Sequence, residues 1–217
     1  VATLIFDLDG TLVLTEDAAL ECLQKSLQSF GIQKPRSYFL QFVGKSWPHC
    51  FSKLKVDHSD LDAEAFKQFT LQTYNDHLKE GVAEVPGATD FVKWAAASGD
   101  DLFVVSGSMI QQIELVLRGL KIHHLFKGLV GAEDAAHSKP HPAPYLTVLT
   151  RFSLDPSKAW VFEDSTPGIQ SAKAANLKVI AVKANANLAQ DTHLADFEIA
   201  NFKSRSFDDW RHFLNKS

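Results

Sequence analysis

From Val85 onward, short apolar runs alternate with segments of helical period, and that alternation limits the fold more than any other feature of the chain. The "VPG" at Val85 to Gly87 marks a boundary. After it the pattern predicts a helix over 88–98, with Phe91, Val92 and Ala95 on one stripe, and then a strand at Asp101 to Val105. A helix over 109–119, a strand at Gly128 to Gly131 and a helix over 142–151 follow. Next come a strand at Ala159 to Glu163, a helix over 167–175, a strand at Lys178 to Val182 and a short last strand over 196–199. Helices of this size between apolar strands require a parallel sheet covered on both faces.

The chain also begins with a strand pattern, Thr3 to Asp7, but a long helical stretch separates it from the others. Leu20, Leu23, Leu27 and Phe30 recur at helical spacing until Gly31 interrupts them. The stretch 37–54 is less periodic, with Pro48 starting a helix that carries Phe51 and Leu54. Residues 62–79 are helical again, with Phe66, Phe69 and Leu78 as core candidates. The expected fold class is therefore α/β: a Rossmann-like, mostly parallel sheet core with helices on both faces, plus an inserted α-helical domain. Residues 1–13 and 81–217 are assigned to the core and 14–80 to the insertion. Phe197, Phe202, Phe207, Trp210 and Phe213 crowd the C-terminal end and are expected to pack the last helix on the sheet.

Composition removes several classes of function. With 217 residues and 45% apolar content the chain can bury a sizeable core. A net charge of −4 without a long basic run leaves no electrostatic footprint for nucleic acid. No apolar stretch reaches membrane-spanning length, and no basic leader precedes the first strand. Cys22 and Cys50 make no disulfide framework and suit a reducing compartment. A cytoplasmic monomer with a small-molecule partner, binding neither nucleic acid nor membrane, is the expectation.

In open parallel sheets, sites form beyond the carboxyl ends of the strands. The first strand ends in Asp7, with Asp9 two positions on. The strand ending at Val105 delivers Ser106, Gly107 and Ser108, and the strand at Ala159 delivers Glu163, Asp164 and Ser165. Lys139 sits in the loop "SKPHP" before a predicted helix. Taken singly, these are turn, cap or solvated surface residues. Jointly they place acids, hydroxyls and one lysine at a single sheet edge. Acids from two segments can hold Mg2+. Hydroxyls and loop N–H groups suit phosphate oxygens, and lysine offsets the negative charge. Position alone indicates a phosphate- or metal-binding domain, and the combination suits phosphoryl transfer.

Four stretches resemble the motifs of the haloacid-dehalogenase-like (HAD) hydrolase superfamily, in order and spacing: "DLDGT" from Asp7, "VVSGS" from Val104, Lys139 in "SKPHP", and "FEDSTPGI" from Phe162. The likeness spans essentially the whole chain and is strongest to the β-phosphoglucomutase-like and sugar-phosphate phosphatase branch, whose members carry a helical cap after the first motif. The resemblance implies Asp7 as a nucleophile that takes the phosphoryl group, and Asp9 as acid and base. It implies Ser106 and the Gly107 N–H as phosphate holders, with Lys139 bridging Asp7 and the phosphate. Asp7, the Asp9 carbonyl, Asp164 and Glu163, the last directly or through water, would hold Mg2+. Dehalogenases normally lack the second acid of the first motif, so Asp9 points to phosphate chemistry.

Within that branch, mutases resemble "DTAEYH" after the first motif, with a hinge histidine. This chain has "LTEDAA", with Glu16 as the nearest matching position, and no histidine before His49. The expectation is a phosphatase of small phosphorylated sugars or polyols, with a sugar-phosphate mutase and a catalytically silent phosphate-binding protein as alternatives. "FVGKSWPHC" resembles the substrate-recognition loop of the cap, which implies that Gly44, Lys45 and Ser46 face the substrate. Trp47 either stacks on a sugar or packs the cap.

Overall fold

The computed structural model describes residues 1–42, 47–184 and 190–216, with side chains as far as Leu214. Two compact units emerge: Val1–Leu14 with Ala83–Ser217, and Thr15–Val82. Six strands are present among the described residues: β1 (Thr3–Phe6), β2 (Asp101–Val105), β3 (Gly128–Val130), β4 (Ala159–Glu163), β5 (Lys178–Val182) and β6 (Phe197–Ile199). The helices are α1 (Glu16–Ser29), α2 (Arg36–Phe39), α3 (Trp47–Asp57), α4 (Ala63–Glu80), α5 (Ala88–Ala97), α6 (Ile110–Gly119), α7 (Ala143–Arg151), α8 (Thr166–Ala174) and α9 (Phe207–Lys216). No helix of the described residues is long and apolar enough to cross a membrane.

The strands form one sheet in the order β3-β2-β1-β4-β5-β6, every neighbouring pair parallel. The first strand of the sequence thus lies in the interior of the sheet, between β2 and β4. Register explains why its residues are apolar on both sides. Ile5 aligns with Phe103 and Val161, and these side chains share a core with Tyr145 and Val148 of α7 and Ile169 and Ala172 of α8. Phe6 aligns with Val104 and Phe162 and points to the opposite face. There its ring stacks on Phe162 at 4.8 Å, and Phe91 of α5 and Trp210 of α9 close over the pair. Helices therefore cover both faces, as the continuous apolar strands demand.

At the C-terminal end, Phe202 and Trp210 are buried, whereas Phe197 and Phe207 stay partly exposed, Phe207 stacking on Trp94 at 5.2 Å. Arg211 reaches across to Asp100, whose carboxylate also accepts the Ala2 N–H, so the last helix is tied to the start of the sheet.

Helices are the only regular secondary structure among the described residues of the second unit. Its core joins Leu20, Leu23 and Leu27 of α1 to Phe39, Phe42, Leu54 and Phe66. Helix α3 begins one residue before the expected Pro48, which lies in its first turn, where the missing N–H costs nothing. Phe69 departs from expectation: it is 43% exposed and only edges onto Phe30 at 5.9 Å. The buried stripe of α4 runs Phe66, Thr70, Tyr74, Leu78, and position 69 flanks it. Asp62 caps α4 by accepting the Ala65 N–H at 3.1 Å. Asp62→Ala is expected to lower stability by about 1 kcal/mol, which urea denaturation followed by helix signal would measure.

Candidate active site

Adjacent strands β2, β1 and β4 end side by side, and each continues directly into a polar residue. The Asp7 N–H extends the ladder to the Phe162 carbonyl at 2.9 Å, and the Ser106 N–H does the same to Val130 at 3.0 Å. These bonds fix the backbone from which both side chains project. After Asp7 the chain turns sharply: Gly10 has φ +82°, a conformation that favours glycine, and its N–H reaches Val13 at 2.7 Å. This turn accounts for the glycine of the "DLDGT" stretch.

Lys139 arrives from the loop between β3 and α7, followed by a cis bond to Pro140. Its Nζ donates to Asp7 Oδ1 at 2.6 Å, to Glu163 Oε1 at 2.6 Å and to the Val105 carbonyl at 3.1 Å. All three ammonium protons therefore have acceptors. Glu163 is fully buried and equally well satisfied. Its Oε1 also accepts from the Tyr145 hydroxyl at 3.2 Å, and its Oε2 accepts the N–H and hydroxyl of Ser165, both at 3.0 Å. Gly168 packs so closely on this carboxylate that a Cβ there would lie 1.7 Å from Oε1.

Asp9 meets the loop that follows β2. Its Oδ2 accepts from the Ser108 hydroxyl at 2.7 Å and from the Ser106 hydroxyl at 3.2 Å. Thr11 donates to Asp164 Oδ1 over 3.4 Å, linking the two acidic segments. Gly107 is exposed, and nothing lies within 4 Å of where its side chain would be.

Carboxylate oxygens of Asp7, Glu163 and Asp164 lie within 4.8 Å of one another. Asp9 is a fourth acid, near enough to Asp7 for its charge to act on it. The electrostatic result is visible at Asp7, whose pKa is pushed well above the usual carboxylate range. Burial is the main cause; the Glu163 and Asp9 charges add to it, and Lys139 opposes it. For Lys139, burial works against the charged form, but Asp7 and Glu163 outweigh it, and its pKa is held well above the ordinary lysine value. One ammonium shared between two buried carboxylates leaves negative charge uncompensated. Three converging oxygen donors with excess negative charge fit a small, hard divalent cation such as Mg2+.

The structure thus brings together Asp7, Asp9, Ser106, Lys139, Glu163 and Asp164, with Gly107 beside Ser106. Glu16 opens α1 in the helical unit. Trp47 packs there, against Phe51 at 5.6 Å and Tyr74 at 5.0 Å. Gly44, Lys45 and Ser46 lie outside the described residues. Tyr145, with its ring 5.2 Å from the Lys139 Nζ, is not singled out by the sequence. It sits on the apolar stripe of α7, where only its hydroxyl distinguishes it from a core residue.

Comparison with known proteins gives concordant results. A family model described as haloacid dehalogenase-like hydrolase matches residues 4–182. The chain is 29% identical over 184 residues to fructose-1-phosphate phosphatase YqaB of Escherichia coli, covering 84% of this chain and 96% of that protein. It is 28% identical over 181 residues to pyrophosphatase PpaX of Bacillus cereus, covering 83% and 82%. Among solved structures, CbbY from Rhodobacter sphaeroides in complex with phosphate superimposes with a TM-score of 0.82 at 21% identity, covering 93% of this chain and 95% of that one. At that identity the last match speaks for the fold alone.

Proposed function

The chain belongs to the haloacid dehalogenase-like hydrolases and is a phosphatase of that family, and from this premise we propose that it hydrolyses small phosphorylated sugars or polyols, with Mg2+, through a phosphoryl group carried on Asp7. The observation that carries the proposal is Asp7 gripped at one oxygen by Lys139, beside Asp164 and Glu163, with a second acid, Asp9, two residues on.

Asp7, Asp164 and the Asp9 carbonyl would hold the cation, with Glu163 alongside, directly or through water. Bound there, Mg2+ supplies positive charge to a phosphate dianion that would otherwise be repelled by four acids. Lys139 donates to Asp7 Oδ1 and so orients the carboxylate that attacks phosphorus. The ester P–O bond breaks as the Asp7 P–O bond forms, and Asp9 gives its proton to the leaving alkoxide. Asp9 then takes a proton from water, whose oxygen attacks the phosphorus on Asp7. The second P–O bond breaks, restoring the Asp7 carboxylate and releasing inorganic phosphate. Ser106 and the Gly107 N–H hold the equatorial phosphate oxygens, and the open space over Gly107 leaves room for them.

The substrate class rests on the sugar-phosphate relative, and a reducing, cytoplasmic setting on the two buried thiols, Cys22 and Cys50. A phosphomonoester panel that includes fructose 1-phosphate, with Mg2+ present, tests the reading. Stoichiometric inorganic phosphate is expected, lost on chelation with EDTA and restored by adding Mg2+. Conversion of a hexose 1-phosphate to the 6-phosphate, dependent on a bisphosphate primer and without phosphate release, would replace it with a mutase.

A further inference from the structure

We propose that Ser108 is a positioning residue that keeps the Asp9 carboxylate in place while Ser106 serves the phosphate; the proposal rests on the phosphatase reading above. The argument begins with one proton. A serine hydroxyl has a single hydrogen to donate. That of Ser106 points at Asp9 Oδ2 over 3.2 Å, while its lone pair receives the Ser108 N–H at 2.9 Å. If Ser106 is to donate to a phosphoryl oxygen, it must withdraw that proton from Asp9. Arrival of the phosphate therefore removes one of the hydroxyls on which Asp9 sits.

Ser108 is built to retain the other. Its hydroxyl makes the shorter contact to the same oxygen, 2.7 Å. Its backbone is held at both ends: the N–H donates to Ser106 Oγ, and the carbonyl accepts the Ala132 N–H at 3.0 Å. The residue is 8% exposed, so water competes poorly for its hydroxyl. The two serines of "SGS" thereby divide the work, one facing the phosphate and one facing the acid that protonates the leaving group.

The full chain with Ser108→Ala, Ser108→Thr, Ser106→Ala and Asp7→Asn tests this, using two esters and inorganic phosphate as probes. p-Nitrophenyl phosphate releases a stable phenolate and needs little help from an acid, whereas fructose 1-phosphate must expel an alkoxide. kcat/KM reports steps through the first transfer to Asp7. Ser108→Ala is expected to lower kcat/KM about tenfold for fructose 1-phosphate, the loss typical of one donor to a charged group. For p-nitrophenyl phosphate the loss is expected to stay below about threefold, and Ser108→Thr should restore most of the alkyl-ester rate. Calorimetric affinity for inorganic phosphate in Mg2+ should hold in Ser108→Ala and fall in Ser106→Ala. Equal losses on both esters, no loss on either, or phosphate affinity lowered as in Ser106→Ala would each overturn the assignment. Turnover that survives Asp7→Asn would instead remove the proposed route through Asp7 and Asp9, and the inference with it.

Discussion

Asp7→Asn is expected to reduce phosphate release by about 10,000-fold while leaving the chain folded. Asparagine keeps the size of the side chain and a carbonyl oxygen for the Lys139 Nζ, now 2.6 Å from Asp7 Oδ1. It removes the carboxylate proposed to attack, so on that proposal no covalent route remains. Folding should tolerate the change because Asp7 is buried beside the charges of Glu163 and Asp9, which disfavour its own. Removing a charge from a crowd of like charges relieves repulsion. Lys139 keeps Glu163 and the Val105 carbonyl as acceptors, so it is not stranded. Phosphate release with fructose 1-phosphate and a thermal melt without metal together check both halves. Loss of activity accompanied by unfolding would mean that Asp7 holds the strand ends together rather than reacting.

Gly168→Ala is expected to lower both stability and turnover, through a residue that touches no substrate. A Cβ at this position would stand 1.7 Å from Glu163 Oε1, 2.0 Å from Cδ and 2.3 Å from Oε2. Such overlap cannot be absorbed by a small adjustment. The Glu163 carboxylate cannot swing aside without leaving Lys139, Tyr145 and Ser165, and α8 cannot lift without opening the core formed by Ile169 and Ala172. Overpacking of this kind costs about 1–3 kcal/mol. Displacing Glu163 also frees one side of Lys139, which shifts its grip on Asp7; misplacement by about 1 Å costs on the order of 100-fold in rate. Urea denaturation and kcat on one preparation would separate the two effects. A stable variant with full turnover would show that the helix start relaxes without disturbing the lysine.

Much of this arrangement was legible in the sequence because its polar residues sit at strand ends. Asp7, Ser106 and Glu163 each follow or close an apolar run, so the rule that sites form at carboxyl ends finds them without coordinates. The sheet was legible for the same reason: β2, β4 and β5 have the bounds that their β-branched and aromatic runs predict. What sequence could not supply is which partner each polar atom takes. Asp9 has the same spacing from Asp7 whether it turns to a metal, a substrate or the two serines it meets. Tyr145 is invisible because a phenol on an apolar helical stripe looks like any other core ring. The need for glycine at position 168 shows only once the distance to Glu163 is known. Phe69 shows the limit of periodicity: one step off the stripe of α4 changes a core ring into a partly exposed one.

The strand-like stem between the first motif and α5 has a consequence for how such a chain can vary. Val13 bridges Glu84, the Leu14 N–H meets the Ala83 carbonyl at 2.8 Å, and the Val85 N–H meets Leu12 at 2.9 Å. The outgoing and returning segments are thus zipped before residue 15 and after residue 82. Closing a loop is costly chiefly at its ends and grows only slowly with length. Descendants of this chain can therefore lengthen, shorten or exchange the intervening helices while the sheet edge that carries Asp7 and Asp9 is inherited unaltered.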